Sequence, residues 1–187
     1  MSDAASGLSA DEILDVLATG SGRPLAPGTP VSQLDHARQT AALLGHLHPG
    51  DGELAVAGLV HDIGHLLPGG TDEAHAETGA RAVRGALGER VAGTVALHVG
   101  AKRYLVASEG GYGGVLAGDS VASLLRQGGA MTEDEAEDFL ARPWAADALA
   151  LRRADDRAKV EGLEVPDLAR WAALLRDLSG KAGRGVS

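Results

Sequence analysis

The feature of this sequence that most constrains its fold is a histidine–aspartate pair in the middle of an apolar run. His61 and Asp62 lie within residues 53–67, a segment built mainly from Leu, Val, Ile, Ala and Gly. Such a segment is typical of a helix that is buried on nearly all sides. Burying an imidazole beside a carboxylate costs several kcal/mol unless both groups are compensated. A metal ion compensates both at once, because it accepts the imidazole lone pair and neutralises the carboxylate.

The rest of the chain predicts helices that are separated by glycine- and proline-rich breaks. Ser9 and Glu12 form the pattern of a capping box that opens a first helix, and Thr132 with Glu135 forms a similar pattern. Longer helices are predicted over residues 32–48, 53–67, 72–87, 90–107, 115–126, 143–160 and 166–178. No alternating apolar pattern is long enough for a sheet, and aromatic residues make up only 3% of the chain. We therefore expect an all-α helical bundle with a core of Leu, Val and Ala.

Composition limits the classes of protein that this chain can belong to. Its 187 residues suit one domain, with a core over residues 30–160, an N-terminal helix and loop over 1–29, and a C-terminal helix and tail over 161–187. The net charge of −9 argues against a nucleic-acid partner, and the absence of cysteine excludes thiolate metal sites. We find neither a membrane span nor a signal peptide. We expect a cytoplasmic protein, monomeric or weakly homo-oligomeric.

The other candidate ligands fall on separate predicted helices, as in bundles that build two-metal sites from inward-facing His and carboxylate groups. One ion would take His36, His61, Asp62 and Asp155, and the second His75 and His98, with Asp62 as the bridge. Spacing alone does not choose between Asp155 and Asp156. Nitrogen and oxygen ligands suit iron or manganese, without excluding magnesium, cobalt or nickel. His46 and His48, near a Pro-Gly turn, are interpreted as surface residues or hydrogen-bonded core residues rather than ligands.

Charged residues also lie close in sequence to these ligands. His65 is one helical turn after His61, Lys102 is four residues after His98, and Arg152 is one turn before Asp155. A cation beside a metal centre is repelled unless an anion bridges the two. A phosphonate or phosphate dianion would do so, although ordinary solvated helix charge is the alternative interpretation of Lys102 and Arg152.

Taken together, these motifs resemble the HD superfamily, and more closely its phosphonate oxygenases, which are relatives of myo-inositol oxygenase. The resemblance covers about residues 30–159. It rests on Val31-Ser32-Gln33-Leu34-Asp35-His36-Ala37, His61-Asp62-Ile63-Gly64-His65, His75-Ala76-Glu77-Thr78-Gly79-Ala80, Leu97-His98-Val99-Gly100-Ala101-Lys102-Arg103-Tyr104 and Leu151-Arg152-Arg153-Ala154-Asp155-Asp156-Arg157-Ala158-Lys159.

The resemblance implies an HD-domain bundle around a mixed-valent di-iron centre that uses O2 as co-substrate. The expected reaction is oxidative cleavage of the C–P bond of a small 1-hydroxyalkylphosphonate to a carboxylate and phosphate, or oxidation of a similar small hydroxylated anion. The implied iron ligands are His36, His61, Asp62, His75, His98 and Asp155. The implied substrate-binding residues are His65, Lys102, Ser120 and Arg152, of which His65 and Lys102 are also the expected catalytic residues. For Ser120, the alternative is a hydroxyl bonded back to the preceding helical turn.

The sequence departs from the resembled family in the loop before His36. Well-known members carry a Tyr and a Glu there, the Glu meeting the amine of the substrate, whereas this chain has Ala26 and Thr29. This departure argues against an aminoalkylphosphonate substrate.

Two other functions remain possible from the sequence. One is an HD-type phosphohydrolase acting on a small phosphate ester. The other is a non-catalytic regulator that binds an anion. The few aromatic residues offer little stacking surface for a nucleotide base.

Overall fold

Eight α-helices form the structure, a computed structural model that describes residues 7–116 and 118–183. The helices are α1 (Ala10–Thr19), α2 (Gln33–Leu47), α3 (Gly52–Val60), α4 (His75–Ser108), α5 (Gly118–Arg126), α6 (Glu133–Leu140), α7 (Ala145–Arg157) and α8 (Leu168–Ala182). Over the described residues there is no β-strand, only an isolated bridge between Pro24 and Ser32. The predicted all-α fold is therefore confirmed. Residues 184–187 of the predicted C-terminal tail lie outside the described part of the chain.

Helix starts follow the capping signals in the sequence. Ser9 and Thr132 both form complete capping boxes, with Glu12 and Glu135 as the reciprocal partners. The predicted helix over residues 143–160 is shorter in the structure, because Trp144 adopts a left-handed backbone conformation (φ 68°) and α7 begins only after it. The predicted helix over 115–126 begins at Gly118, and Ala117 lies outside the described residues.

The prediction of one continuous helix over residues 53–67 is wrong at its C-terminal half. Helix α3 ends at Val60, the backbone turns at Asp62 (φ −99°, ψ 8°), and a short 3-10 helix follows over Ile63–Leu66. Adjacent side chains on a regular α-helix diverge by about 100°. The His–Asp pair therefore lies at a helix end, where the changed backbone direction lets both side chains point into the same space.

The predicted helices over 72–87 and 90–107 are two parts of α4. Gly88 separates them with non-helical angles (φ 82°, ψ 176°) that a residue with a side chain rarely adopts. Helix α4 begins at His75 rather than at Asp72. This long helix contributes two of the candidate ligands, His75 and His98, one from each part.

The core is formed where α2, α3, α4 and α7 pack together. Every residue of α3 from Leu54 to Val60 is buried, so α3 is the central helix of the bundle. Arg90 in α4 donates hydrogen bonds to Asp51, just before α3, and to Asp147 in α7, so it links these three segments. No helix in the described part of the chain is both long and apolar enough to cross a bilayer.

Gly64 allows the turn after the His–Asp pair to lie directly against the start of α4. A Cβ built on Gly64 would lie 2.0 Å from the carbonyl oxygen of His75. Backbone atoms cannot move away from such a contact without shifting the whole turn. Because Gly64 has no side chain, the segment that carries His61 and Asp62 can lie in direct contact with the start of the helix that carries His75.

We predict that Gly64→Ala destabilises the protein by about 3 kcal/mol, as expected when extra volume is forced into a packed interior. Urea unfolding followed by circular dichroism measures this change. Gly85→Ala is the matched control, because its Cβ would have no atom within 4 Å and it lies in the helical part of α4. The control is expected to be neutral or to gain about 0.5–1 kcal/mol from helix propensity. Equal stabilities of the two variants would contradict the close approach at Gly64.

Candidate metal centre

Six candidate ligands converge in the interior of the bundle. Helix α2 brings His36, the end of α3 brings His61 and Asp62, α4 brings His75 and His98, and α7 brings Asp155. Two overlapping groups have ligand atoms within 4.8 Å of one another, and each could hold a metal ion; they are His36, His61 and Asp62, and Asp62, His75 and His98. The exposed His46 and His48 belong to neither group.

Asp62 lies between the two pairs of imidazoles and directs one carboxylate oxygen toward each. Its Oδ2 is 3.7 Å from His36 Nε2 and 3.4 Å from His61 Nε2. Its Oδ1 is 3.6 Å from Nε2 of both His75 and His98. This arrangement is the one expected of a carboxylate that bridges two cations.

Backbone carbonyls hold the four imidazoles in one tautomer. The Nδ1 atoms of His36, His61, His75 and His98 lie 2.7–2.9 Å from the carbonyl oxygens of Ala158, Gly58, Asp72 and Val95. A carbonyl oxygen can only accept a hydrogen bond, so each Nδ1 must carry the proton and donate it. The Nε2 atom of each neutral ring is then left with a free lone pair that points into the cluster. Such second hydrogen bonds are the usual way in which metal-binding histidines are oriented.

The convergence of these lone pairs requires a cation. His36 Nε2 lies 3.2 Å from His61 Nε2, and His75 Nε2 lies 3.0 Å from His98 Nε2. Two unprotonated nitrogens at that separation repel each other, so either a proton or a metal ion must lie between them. A set of ligands made only of nitrogen and oxygen atoms fits iron, manganese and similar divalent metals. The residues present therefore fit a pair of metal ions of that kind.

The pKa values in the cluster reflect the same competition between burial and charge. Burial by itself would lower the pKa of His61, but the adjacent Asp62 carboxylate raises it to about 9. Burial and the neighbouring imidazoles of His75 and His61 hold the pKa of His98 well below its usual range. His61 therefore tends to hold a proton where His98 stays neutral, and a bound metal ion would displace that proton.

Asp155, rather than Asp156, faces the candidate ligands. Its Oδ1 lies 3.2 Å from His36 Nε2, while its Oδ2 lies 2.7 Å from Arg152 Nη1. Burial would raise the pKa of Asp155, but the Arg152 guanidinium and His36 hold it well below its usual range. Asp156 instead contacts Tyr112 and Arg152. Of the two neighbouring carboxylates that the spacing could not separate, Asp155 is therefore the one that lies beside the candidate ligands.

A cavity of about 240 Å³ opens onto the cluster, and all four predicted substrate-binding residues line it. These are His65, Lys102, Ser120 and Arg152. His65 stacks on His75 with ring centroids 4.0 Å apart. The side chains of Lys102, Ser120 and Arg152 are almost fully buried. The volume suits a molecule with a few heavy atoms and is small for a nucleotide.

Lys102 points into this cavity from α4. Its Nζ donates a 2.8 Å hydrogen bond to Ser123 Oγ, and it is only 3% exposed. Burial and the nearby Arg152 guanidinium lower the pKa of Lys102 to about 8. A buried ammonium close to a candidate two-metal cluster requires a negatively charged partner, which an anionic ligand in the cavity would provide.

Several polar residues that line the cavity were not predicted as site residues from the sequence, and two of them contact predicted ones. Ser123 accepts the hydrogen bond from Lys102, and Lys159 lies 3.6 Å from Asp155 Oδ1 and donates to Ser120 Oγ. Lys159 stands four residues after Asp155, and that helical spacing is a signal that could have identified it. Ser123 carries no such signal, because its role depends on how α5 packs against α4.

The loop before α2 forms an apolar wall of the cavity through Leu25, Ala26 and Pro27. Thr29 turns back to this loop, where its hydroxyl bonds the backbone of Ala26. On another side of the cavity, Asp72 is paired with Arg126. The carboxylates among the described lining residues are Asp62, Asp72 and Asp155, and each already contacts basic side chains.

Comparison with known proteins places this geometry in a family. Residues 34–138 match the model of the HD domain. A hydroxymethylphosphonate dioxygenase from Gimesia maris is 40% identical over 75% of this chain and 74% of its own length. A glycine-betaine-forming [1-hydroxy-2-(trimethylamino)ethyl]phosphonate dioxygenase from Leisingera caerulea is 30% identical over 82% of each chain. An uncharacterized protein of Acanthamoeba polyphaga mimivirus is 28% identical over 85% of this chain and 77% of its own.

The match to the HD model and the similarity to two phosphonate dioxygenases confirm the resemblance that the motifs predict. The chain belongs to the HD-domain family.

Proposed function

We propose that this protein is a di-iron oxygenase that cleaves the C–P bond of a small 1-hydroxyalkylphosphonate with O2. The proposal rests above all on one observation: a two-metal ligand cluster opens onto a small cavity lined by Lys102, Arg152 and Ser120. The similarity to two phosphonate dioxygenases supports it. Bound iron ions would supply the redox chemistry that reduces O2.

In this proposal, the residues of the chain bind and orient the substrate. Arg152 and Lys102 would hold the phosphonate oxygens, because a guanidinium and a buried ammonium together match a dianion. His65 lies on the same side as His75 and would contact the substrate oxygens next to the metal cluster. Ser120 and Ser123 would complete the hydrogen bonding, and the apolar wall of Leu25, Ala26 and Pro27 would keep water away from the reacting carbon.

The cavity favours a substrate without a cationic substituent. Its lining includes Lys102, Arg126, Arg152 and Lys159, and none of its described carboxylates is left to pair with an ammonium group. An ammonium substituent would meet either the apolar wall or these cations. We therefore propose hydroxymethylphosphonate, or a homologue with a small uncharged substituent, as the substrate class.

The competing function is hydrolysis of a small phosphate ester at the same metal cluster. The same cations would bind a phosphate equally well, so the distinction lies in whether O2 is consumed. A nucleotide substrate is disfavoured, because the described lining residues include no Phe, Tyr or Trp for stacking.

Oxygen consumption by the iron-loaded protein tests the proposed function. We expect one O2 to be consumed for each phosphate and each formate released from hydroxymethylphosphonate, since those two acids contain all the atoms of the substrate and O2. We also expect kcat/KM to be at least about tenfold lower for the trimethylamino substrate of the Leisingera relative, because none of the described carboxylates in the cavity is left to pair with its cation. Anaerobic release of phosphate from esters, without O2 uptake on phosphonates, would instead favour the hydrolase.

Metal content tests the assignment of Asp62 as the bridge. We expect about two metal ions per chain after purification with iron, and less than one after Asp62→Asn, because the amide cannot neutralise two cations. Elemental analysis by mass spectrometry measures both values. His48→Ala is the control, since His48 is an exposed histidine outside both groups, and its metal content should equal that of the unmodified protein. Full occupancy in Asp62→Asn would exclude the bridging role.

The pKa of Lys102 predicts a pH dependence of phosphonate binding. Below pH 8 the ammonium is charged and can donate to the anion, and above pH 8 the charge is lost, so affinity should fall by about tenfold between pH 7 and pH 9. Isothermal titration calorimetry across this range measures the fall. Lys102→Gln removes the titrating group and should bind more weakly at pH 7, with a flatter profile. If the pH profile of phosphonate affinity in Lys102→Gln had the same shape as that of the unmodified protein, the fall would be due to another titrating group.

A further inference from the structure

The guanidinium of Arg152 is held by two carboxylates at the edge of the cavity. The side chain is 6% exposed, and its Nη1 lies 2.7 Å from Asp155 Oδ2. On its other edge, Nε lies 3.2 Å from Asp156 Oδ2, and Nη2 contacts Asp156 Oδ1. A guanidinium has five N–H donors, so donors remain for a ligand after these contacts.

Asp156 fixes the plane of that guanidinium. It engages Nε and Nη2 together, which is the bidentate geometry that gives an Arg–carboxylate pair its directionality. Without this bidentate contact, Asp155 would be the remaining carboxylate among the described residues in contact with Arg152. Both edges of the guanidinium could then compete for Asp155, whose other oxygen faces His36 and the candidate metal cluster.

Tyr112 in turn holds Asp156. Its hydroxyl donates a hydrogen bond to Asp156 Oδ2, the same oxygen that accepts from Arg152 Nε. Burial and the Asp156 carboxylate both raise the pKa of Tyr112, so the phenol stays protonated as a donor at neutral pH. The three residues therefore form a relay from Tyr112 through Asp156 to Arg152.

The place of Tyr112 in the chain links this relay to the other side of the cavity. Tyr112 lies in the glycine-rich segment between α4 and α5, next to Gly111, whose φ of 91° suits a residue without a side chain. Helix α4 carries Lys102, and α5 carries Ser120 and Ser123. The hydrogen bond from Tyr112 to Asp156 therefore attaches the segment between α4 and α5 to α7, the helix that carries Arg152.

We propose that Tyr112 and Asp156 are positioning residues, which hold Arg152 in the orientation that binds the phosphonate. This inference rests on the proposed function for the identity of the anion, but the orientation of Arg152 can be tested without it. Neither residue would touch the substrate; both would act through the guanidinium.

Substitutions that remove single contacts test the relay in the full-length, metal-loaded protein. Tyr112→Phe deletes only the hydroxyl and should weaken binding of hydroxymethylphosphonate about threefold to tenfold, the effect of one lost hydrogen bond. Asp156→Asn should weaken it more, by about tenfold to a hundredfold, because a charge-assisted bidentate contact is lost. In steady-state kinetics, Tyr112→Phe should raise KM while changing kcat by less than twofold, and its metal content should stay unchanged.

Two matched controls separate positioning from general destabilisation. Tyr104→Phe removes a hydroxyl from a tyrosine that stacks on Phe139 and does not line the cavity. Asp147→Asn breaks a comparable bidentate contact, since Asp147 engages Nε and Nη2 of Arg90 outside the cavity. Both controls should leave the affinity for hydroxymethylphosphonate within about twofold of that of the unmodified protein.

The Nε–H signal of Arg152 in a 15N-detected NMR spectrum, assigned by its loss in Arg152→Lys, reports the orientation directly. This signal should shift and exchange faster with water in Tyr112→Phe and in Asp156→Asn, and stay in place in both controls. An unchanged signal, or an unchanged phosphonate affinity in Tyr112→Phe, would overturn the inference. If the unmodified protein bound no phosphonate at all, the proposed function would fail, and the NMR signal would still decide whether Tyr112 and Asp156 position Arg152.

Discussion

The structure depends on one constraint: four imidazole lone pairs and a carboxylate face each other in the interior of the bundle. Backbone carbonyls fix the Nδ1 protons of His36, His61, His75 and His98, so in their neutral forms the rings have no hydrogen on Nε2 to offer one another. Such a cluster is unfavourable without cations, and the bundle must be rigid enough to hold it together. The burial of α3 from Leu54 to Val60 and the close contact at Gly64 provide that rigidity, because both pack the segment that carries His61 and Asp62 tightly against its neighbours.

The candidate metal cluster is surrounded by further charged side chains. Asp155 shares its two oxygens between the cluster and Arg152, and Lys102 and Lys159 approach the same region. With metal ions in place, these basic side chains would leave an excess of positive charge at one end of the cavity. A small dianion is the ligand that balances it, which is why the proposed substrate follows from the metal centre. The relay from Tyr112 to Arg152 then determines the direction from which that anion is held.

The sequence predicted the parts of this arrangement that leave a local or periodic signal. The capping boxes at Ser9 and Thr132 and the all-helical fold leave such signals, and the six residues that we propose as ligands were found from motifs or from buried charge in apolar runs. The end of α3 at Val60 could not be predicted, because residues 53–67 remain apolar on both sides of the break and the break is set by contact with α4. Tyr112 and Ser123 were missed for a related reason: their partners are distant in sequence, so no spacing pattern connects them.

The charge of the whole chain is a poor guide to its ligand, and the cavity shows why. The chain carries a net charge of −9, which argues against a long polyanion such as nucleic acid on its outer surface. Among the residues that the structure describes, however, the cavity is lined by four Lys or Arg side chains and three Asp side chains, and the candidate metal ions would add further positive charge. Fields inside a buried cleft are set by these nearby groups, since distant surface charges are screened by water and salt. An acidic protein can therefore select a small dianion, while its surface repels larger anions that could not enter.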